Sequence, residues 1–390
     1  MTNSLVFTHF DTDGITSAQI ARKIWGKDTP VIFQKWHKFG VDEEDYQLLA
    51  SYKPKTVIVL DLGAETKTLE NLNKFAEQDI PVWLVDNHPP EDKTILAKYA
   101  SDNFNIASTR DNCTAGTLFS ELGETTIKGD NDLRWAKIWA AIGIQGDIAN
   151  ETTQGKPMLA SILATVPLLS AKILRWGKDN DTGGYKTIES DILPTISAYL
   201  NTPRRIARHY GAYTGLQMLD EIEKANDITL PEQDFNDAKM QALYPATSIV
   251  KRWKEEWYSN WTSVFKAENI RYWDMGKYTF SQVNHPWNLA TQVANIKAND
   301  KERPKAHFCM NSYPVDGYIT IGSRNPQGKK NPLDLGKLLV RVTELSNGKI
   351  AGGGLSMAAS AHAPANTSVS EFLNYLNQAI DEFQVISEYA

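Results

Sequence analysis

The sequence predicts an α/β protein. Its parts are a parallel-sheet domain with a helical appendage over residues 1–225, a helical connector over 226–277, and a smaller mixed α/β domain over 278–390. Three observations carry this expectation. Up to about Asn150, short continuously apolar runs alternate with amphipathic stretches, the pattern of parallel strands covered on both faces. Helical patterns punctuated by Pro and Gly then dominate. From about Tyr278, strand-like and helix-like segments alternate again.

In the first part, Leu5 to Phe7, Val31 to Phe33, Thr56 to Leu60 and Val82 to Val85 read as strands. Ser17 to Trp25, Glu43 to Ser51 and Lys67 to Gln78 read as helices. The first strand runs into VFTHFDTDG, where His9, Asp11 and Asp13 recur at every second position before Gly14. Alternate residues of a strand share a face, which gathers an imidazole and two carboxylates at the strand's carboxyl end. Acids packed together repel unless a cation lies among them, so a divalent metal is the natural reading. Asp61 ends VIVLD, Asp86 ends WLVD ahead of Asn87 and His88, and the apolar stretch Ile138 to Ile144 leads to Gly146 and Asp147. One strand-terminal Asp is usually a cap or loop hydrogen-bonder. Four such segments at one edge, where doubly wound sheets bind ligands, favour a metal site instead.

The middle of the chain accumulates Trp176, Trp253, Trp257, Trp261 and Trp273. Trp253, Trp257 and Trp261 fall on one helical face, which reads first as a packing stripe. Nearby Lys251, Arg252 and Lys254 keep a base-stacking platform as the alternative. In the last part, Pro286 to Lys297 reads as a helix, His307 to Met310 and Tyr318 to Ser323 as strands, and Asp334 to Thr343 and Val369 to Phe383 as helices. Gly352, Gly353 and Gly354 allow close backbone approach to a ligand, or simply a flexible turn. Asn112, Thr114 and Gly116 open a helix whose amino terminus suits a phosphate, with capping as the plainer role for Asn112.

The net charge of −6 argues against a generally basic, nucleic-acid-coating surface. Two cysteines, Cys113 and Cys309, far apart, give neither a disulfide framework nor a zinc cluster. A reducing, cytoplasmic setting fits. The amino terminus lacks a signal-peptide pattern, and no apolar run is long enough for a membrane span.

In this order the motifs resemble the DHH phosphoesterase superfamily, in the subgroup with a carboxyl-terminal DHHA1 domain, of RecJ-like exonuclease and nano-RNase type. THFDTDG is similar to the first motif, VIVLDLG to the second, VDNHPP to the Asp-His-His third and GIQGDIAN to the fourth. NCTAGTLFSEL is similar to the helix between the third and fourth motifs. YLNTPRR is a looser match to the Asn-Ala-Gly-Arg segment. IGSRN and AGGGLSMAAS resemble the Ser-x-Arg-Ser and Gly-Gly-Gly-His signatures that hold substrate. Two positions depart: Asn87 stands where the family has a metal-binding histidine, and Leu355 where the glycine motif ends in histidine, so that one substrate contact is either missing or supplied from elsewhere, with His362 as the candidate.

The resemblance implies a DHH catalytic domain at 1–225 and a DHHA1 substrate-binding domain at 278–390. It implies two divalent ions, Mn²⁺ first, with Mg²⁺ or Co²⁺ as substitutes. His9, Asp11 and Asp61 hold one ion on that pattern. Asp13, Asp61 and Asp147, with Asn87 or His88, hold the other. Catalytic roles fall to Asp61, Asp86 and His88, and substrate contacts to Arg204, Asn112, Ser323, Arg324 and Gly352 to Gly354, a guanidinium suiting phosphate bidentately. The implied activity is hydrolysis of single-stranded DNA or RNA, or short oligonucleotides, from an end. A small-nucleotide phosphatase acting on pAp or cyclic dinucleotides is the alternative within enzymes. A non-catalytic nucleic-acid-binding protein with a degraded site is the alternative outside them.

Overall fold

The computed structural model describes residues 3–90, 92–178, 185–266, 270–300, 304–326 and 333–388. The side chains of Trp176, Trp261 and Leu355 lie outside the described set. The chain divides into two compact units, Met1–Trp36 with Gly40–Glu256, and His37–Phe39 with Trp257–Ala390.

The first unit opens with strands and helices in alternation: β1 (Ser4–Thr8), α1 (Thr12–Trp25), β2 (Val31–Phe33), α2 (Glu43–Ser51), β3 (Thr56–Leu60), α3 (Thr66–Ala76), β4 (Val82–Asp86), α4 (Thr94–Tyr99) and β5 (Phe104–Ser108). The strands pair in parallel in the order β2-β1-β3-β4-β5. Leu5, Phe7, Val57, Val59, Val82 and Leu84 share one core with Leu69, Leu72 and Phe75 of α3. The alternate residues Val6, Ile58, Leu60 and Val85 are buried as well, which explains why these strands read as unbroken apolar runs. The edge strand β5 escaped the sequence reading because FNIAS is too polar to register as such a run.

Short helices follow: α5 (Thr114–Leu118), a π-helical turn at Phe119–Gly123, and α6 (Glu124–Thr126). Next come α7 (Asp130–Gly146), α8 (Gly155–Thr165), a hairpin of β6 (Lys172–Lys178) and β7 (Tyr185–Asp191), α9 (Ile192–Ala225), α10 (Ala238–Leu243) and α11 (Pro245–Lys266). The division between units falls within α11. Helix α9 is kinked at Arg208 (φ 55°, ψ −140°). On α11, Trp257 is buried and its ring stacks on Trp287 at 5.7 Å, while the buried Lys254 ammonium lies 3.3 Å from the Tyr199 ring centroid. Neither is open to a nucleobase, so Trp257 has the packing role.

The second unit adds β8 (Arg271–Asp274), β9 (Thr279–Val283), α12 (Ala290–Ala298), β10 (His307–Val315), β11 (Tyr318–Arg324), α13 (Leu335–Leu345), β12 (Ala351–Leu355), β13 (Ala358–Pro364) and α14 (Val369–Glu388). Its mixed sheet runs β12-β13-β11-β10-β9-β8. Phe280, Phe308, Ile321, Leu339 and Phe372 are among its core residues. The glycine triplet forms the edge strand β12, paired with β13, rather than a flexible turn. No helix among the described residues is long and apolar enough to cross a membrane.

Candidate functional site

Parallel register brings the strand ends level: Thr8 pairs with Leu60, and Leu60 with Val85. The ladder continues one residue further, His9 N–H to the Leu60 carbonyl and Asp61 N–H to the Val85 carbonyl. His9, Asp61 and the Asp86–His88 segment therefore leave one edge together.

Two expected placements are corrected. His9, Asp11 and Asp13 do not lie along a strand, because β1 ends at Thr8 and α1 starts at Thr12, not at Ser17. Asp11 is the N-cap of α1, accepting the Gly14 N–H at 3.1 Å, and Asp13 lies in the first helical turn. A strand–turn–helix corner, not strand alternation, gathers these side chains. Similarly, residues 130–146 are helix α7, so Asp147 reaches the site from a helix carboxyl terminus. The all-buried apolar segment of this helix mimics a strand's unbroken run.

Gly14 makes the corner possible. A Cβ there would sit 2.1 Å from the His9 carbonyl oxygen. Gly14→Ala is expected to displace His9 and cost about 1–3 kcal/mol of unfolding free energy, measured by urea denaturation.

Around the corner, His9 Nδ1 lies 3.2 Å from Asp11 Oδ2 and 3.5 Å from Asp61 Oδ2. Arg204 of α9 donates to Asp11 Oδ2 at 3.1 Å, so the looser sequence match does reach the cluster. Asp86 is fully buried and accepts the N–H groups of Gly63 and His88 at 3.0 and 2.6 Å. Its Oδ1 is also 3.1 Å from His88 Nδ1, which is 3.8 Å from Asp61 Oδ1. Two groups bring one ligand atom from each member within 4.8 Å: His9, Asp11 and Asp61, and Asp61, Asp86 and His88. Asp61 belongs to both.

Helix α5 closes the far side. Thr114 and Ala115 donate their N–H groups to the Asp13 carboxylate at 2.7 and 2.9 Å. The helix terminus expected to take a phosphate thus holds a protein carboxylate. Cys113, not Asn112, is its N-cap, with Sγ accepting the Gly116 N–H at 3.2 Å. Asn112 is buried, accepts the Cys113 N–H at 2.9 Å and abuts Gly116, which corrects its expected substrate role to a packing one. Asn87 donates its amide to Asp147, and its Oδ1 lies 3.2 Å from the Thr114 hydroxyl. Sequence reasoning missed this use of Thr114 because a hydroxyl at a helix start ordinarily signals capping.

Electrostatics follow from that crowding. Burial, then the Asp11 and Asp13 charges, hold the Asp61 carboxyl well above the usual carboxylate range, although His88 works against them. Burial and Asp13 lift Asp147 to about 8. Burial and Asp11 lift Asp13 to about 6, against the pull of the Ala115 and Thr114 N–H groups. Burial also raises Asp11, but His9 and Arg204 outweigh it and hold the group below its ordinary value. Partial desolvation disfavours charge on His88, whose side chain is 42% exposed, yet Asp86, Asp61 and Asp147 prevail and raise it to about 10.

The remaining candidates lie in the second unit. Ser323 and Gly354 both pair with Ala359 of β13, and Arg324 pairs with Ala358. Arg324 is half-buried and donates to the Ser323 carbonyl at 2.7 Å. Ser323 is fully buried and donates to the Ala359 carbonyl at 2.9 Å, so its hydroxyl ties strands together instead of facing a substrate. Gly352 is also a packing position, since a Cβ there would meet the Ala361 Cβ at 2.7 Å, whereas Gly353 has room. His362 is buried with its ring stacked against Phe39 at 5.4 Å.

Residues 3–142 match the profile of the DHH family, N-terminal domain. Comparison with curated proteins returned no match. Among solved structures, the chain is similar to a DHH-domain protein described as a member of a family of ribosomal proteins. Identity is 14% over 97% of this chain and 86% of that one, with a TM-score of 0.61. It is similar to the exonuclease RecJ bound to manganese, at 14% identity over 98% and 90% of the two chains and a TM-score of 0.56. RecJ from Thermus thermophilus in complex with Mn²⁺ gives 15% identity over 98% and 52%, with a TM-score of 0.58. At such identities the shared feature is the fold.

Proposed function

We propose, from the premise that the chain belongs to the DHH phosphoesterase superfamily, that it is a divalent-metal-dependent phosphodiesterase hydrolysing single-stranded nucleic acid or short oligonucleotides from an end. The observation that carries the reading is the convergence of His9, Asp11, Asp61, Asp86 and His88 at one sheet edge, with the buried Asp13 and the half-buried Asp147 beside them. The donor set fits dications. Carboxylates driven upward by one another's charge are relieved by positive charge, and mixed carboxylate and imidazole donors suit Mn²⁺, with Mg²⁺ or Co²⁺ as substitutes. Manganese in the RecJ structures supports the same choice.

In this reading His9, Asp11 and Asp61 hold one ion, and Asp61, with Asp13, Asp147 and His88, holds the other. Two such ions supply neutralisation of phosphate charge and a water acidified enough to be hydroxide at neutral pH. Asp86 accepts a hydrogen bond from the Nδ1–H of His88, fixing the tautomer that leaves a lone pair on Nε2, the usual arrangement of a carboxylate behind a ligating histidine. Arg204 orients Asp11 through one nitrogen and has further N–H groups for a phosphate oxygen. In the second unit, Arg324 and the glycine edge strand are the proposed grip on substrate. The acidic net charge favours short substrates, because long polymers reward a strongly basic surface.

The test is hydrolysis of end-labelled oligonucleotides with Mn²⁺, from dinucleotides to strands of about 40 nucleotides, beside pAp and cyclic dinucleotides. Faster turnover of the shortest oligomers is expected. Turnover of pAp or cyclic dinucleotides alone would replace the substrate class, and hydrolysis of none would remove the enzyme reading.

A further inference from the structure

Asn87 is 6% exposed and both ends of its amide are engaged. The amide nitrogen donates to Asp147, the arrangement an ionised Asp147 requires because a carboxylate only accepts, and the carbonyl oxygen lies toward the Thr114 hydroxyl at 3.2 Å. Thr114 is fully buried. Its backbone N–H holds Asp13 at 2.7 Å, and its hydroxyl also lies 3.5 Å from Asp61 Oδ1. One residue at the start of α5 therefore touches two acids directly and reaches a third through Asn87.

We propose that Thr114 and Asn87 form a clamp, positioning residues that hold Asp147 in place, and that Asn87 is not itself a cation ligand. The inference rests on the two-cation reading for its consequence but not for its geometry. The oxygen points toward a buried hydroxyl at the start of α5, and the end of the amide that faces Asp147 is the nitrogen, which has no lone pair for an ion and pins the carboxylate from behind. Groups of this kind, one bond removed from a metal, set affinity by orienting the ligands.

The test uses the full chain as wild type, Thr114→Val, Thr114→Ser, Asn87→Ala and the Val/Ala double variant. Valine keeps threonine's shape and loses only the hydroxyl. Under the clamp, Thr114→Val and Asn87→Ala each weaken Mn²⁺ binding by about tenfold in calorimetry. The double variant is no weaker than Asn87→Ala alone, the non-additivity of groups acting through each other, and Thr114→Ser binds as wild type. The same non-additivity is expected in urea midpoints measured in chelator. If Thr114→Val binds Mn²⁺ as wild type while Asn87→Ala loses one equivalent, Asn87 is a ligand and the clamp is wrong. A wild type that takes up no Mn²⁺ overturns the two-cation reading instead. The clamp then stands or falls on the chelator measurement, where additive losses overturn it.

Discussion

Asp61→Asn is expected to reduce Mn²⁺-dependent hydrolysis by about 10³-fold or more, equivalent to about 4 kcal/mol of barrier, while stabilising the metal-free protein. The two effects have one cause. Asp61 is 5% exposed and lies among Asp11, Asp13 and Asp147, whose charges disfavour its ionised form in the fold. It also occupies the left-handed region at φ 60°, which asparagine tolerates as well as aspartate. The substitution therefore preserves shape and backbone conformation and removes a charge whose repulsion by the acids and cost of burial outweigh its attraction to His88. A gain of about 1 kcal/mol would raise the melting temperature of a unit this size by about 2–4 °C. Thermal unfolding in chelator reads the gain, and the oligonucleotide assay reads the loss. A variant that loses activity and also melts lower in chelator would mean that Asp61 stabilises the fold, contradicting a site waiting for positive charge.

That coupling explains which parts of the site were legible in the sequence. His9, Asp61, Asp86 and His88 follow strand ends that apolar runs announce, and parallel register then brings them together without further information. Asp13 and Asp147 were named for a geometry they do not have. Alternating acids look the same whether a strand continues or a helix begins, and here the Asp11 cap starts the helix at Thr12. A fully buried helix such as α7 presents the same unbroken apolar run as a strand. Thr114 and the Asn87–Asp147 bond were not legible, because they depend on side chains meeting from segments 27 and 60 residues apart. In the second unit, the resemblance placed Ser323 beside Arg324 correctly in sequence. The pleat then turned their side chains to opposite faces, which alternation along β11 required once the strand was known.

Acid should weaken the second unit through His307. This histidine is fully buried, with Nδ1 2.7 Å from Thr279 Oγ1 and Nε2 2.8 Å from Ser281 Oγ. Thr279 Oγ1 also donates to the Ala306 carbonyl at 3.3 Å, so it accepts from Nδ1–H and leaves Nε2 to accept from Ser281. A second proton on Nε2 would force the Ser281 hydroxyl to turn and accept instead of donate. Burial, with Lys297 adding to it, accordingly holds His307 down at about 3. An unfolded histidine titrates near 6.5, so between these values the unfolded chain binds the proton more readily. The His307 contribution is thus intact above about 6.5 and is lost as pH falls toward 3, amounting to about 3 kcal/mol by pH 4.5. Urea unfolding of wild type and His307→Gln at pH 7 and 4.5 isolates this residue, because glutamine offers one donor and one acceptor but does not titrate. The wild type should lose more stability than the variant, and equal losses would show that the buried ring carries no linkage. Since His307 pairs with Arg324 across β10 and β11, the strand that acid loosens is the one that positions the proposed phosphate-binding guanidinium. Substrate affinity should therefore fall in acid earlier than the first unit unfolds.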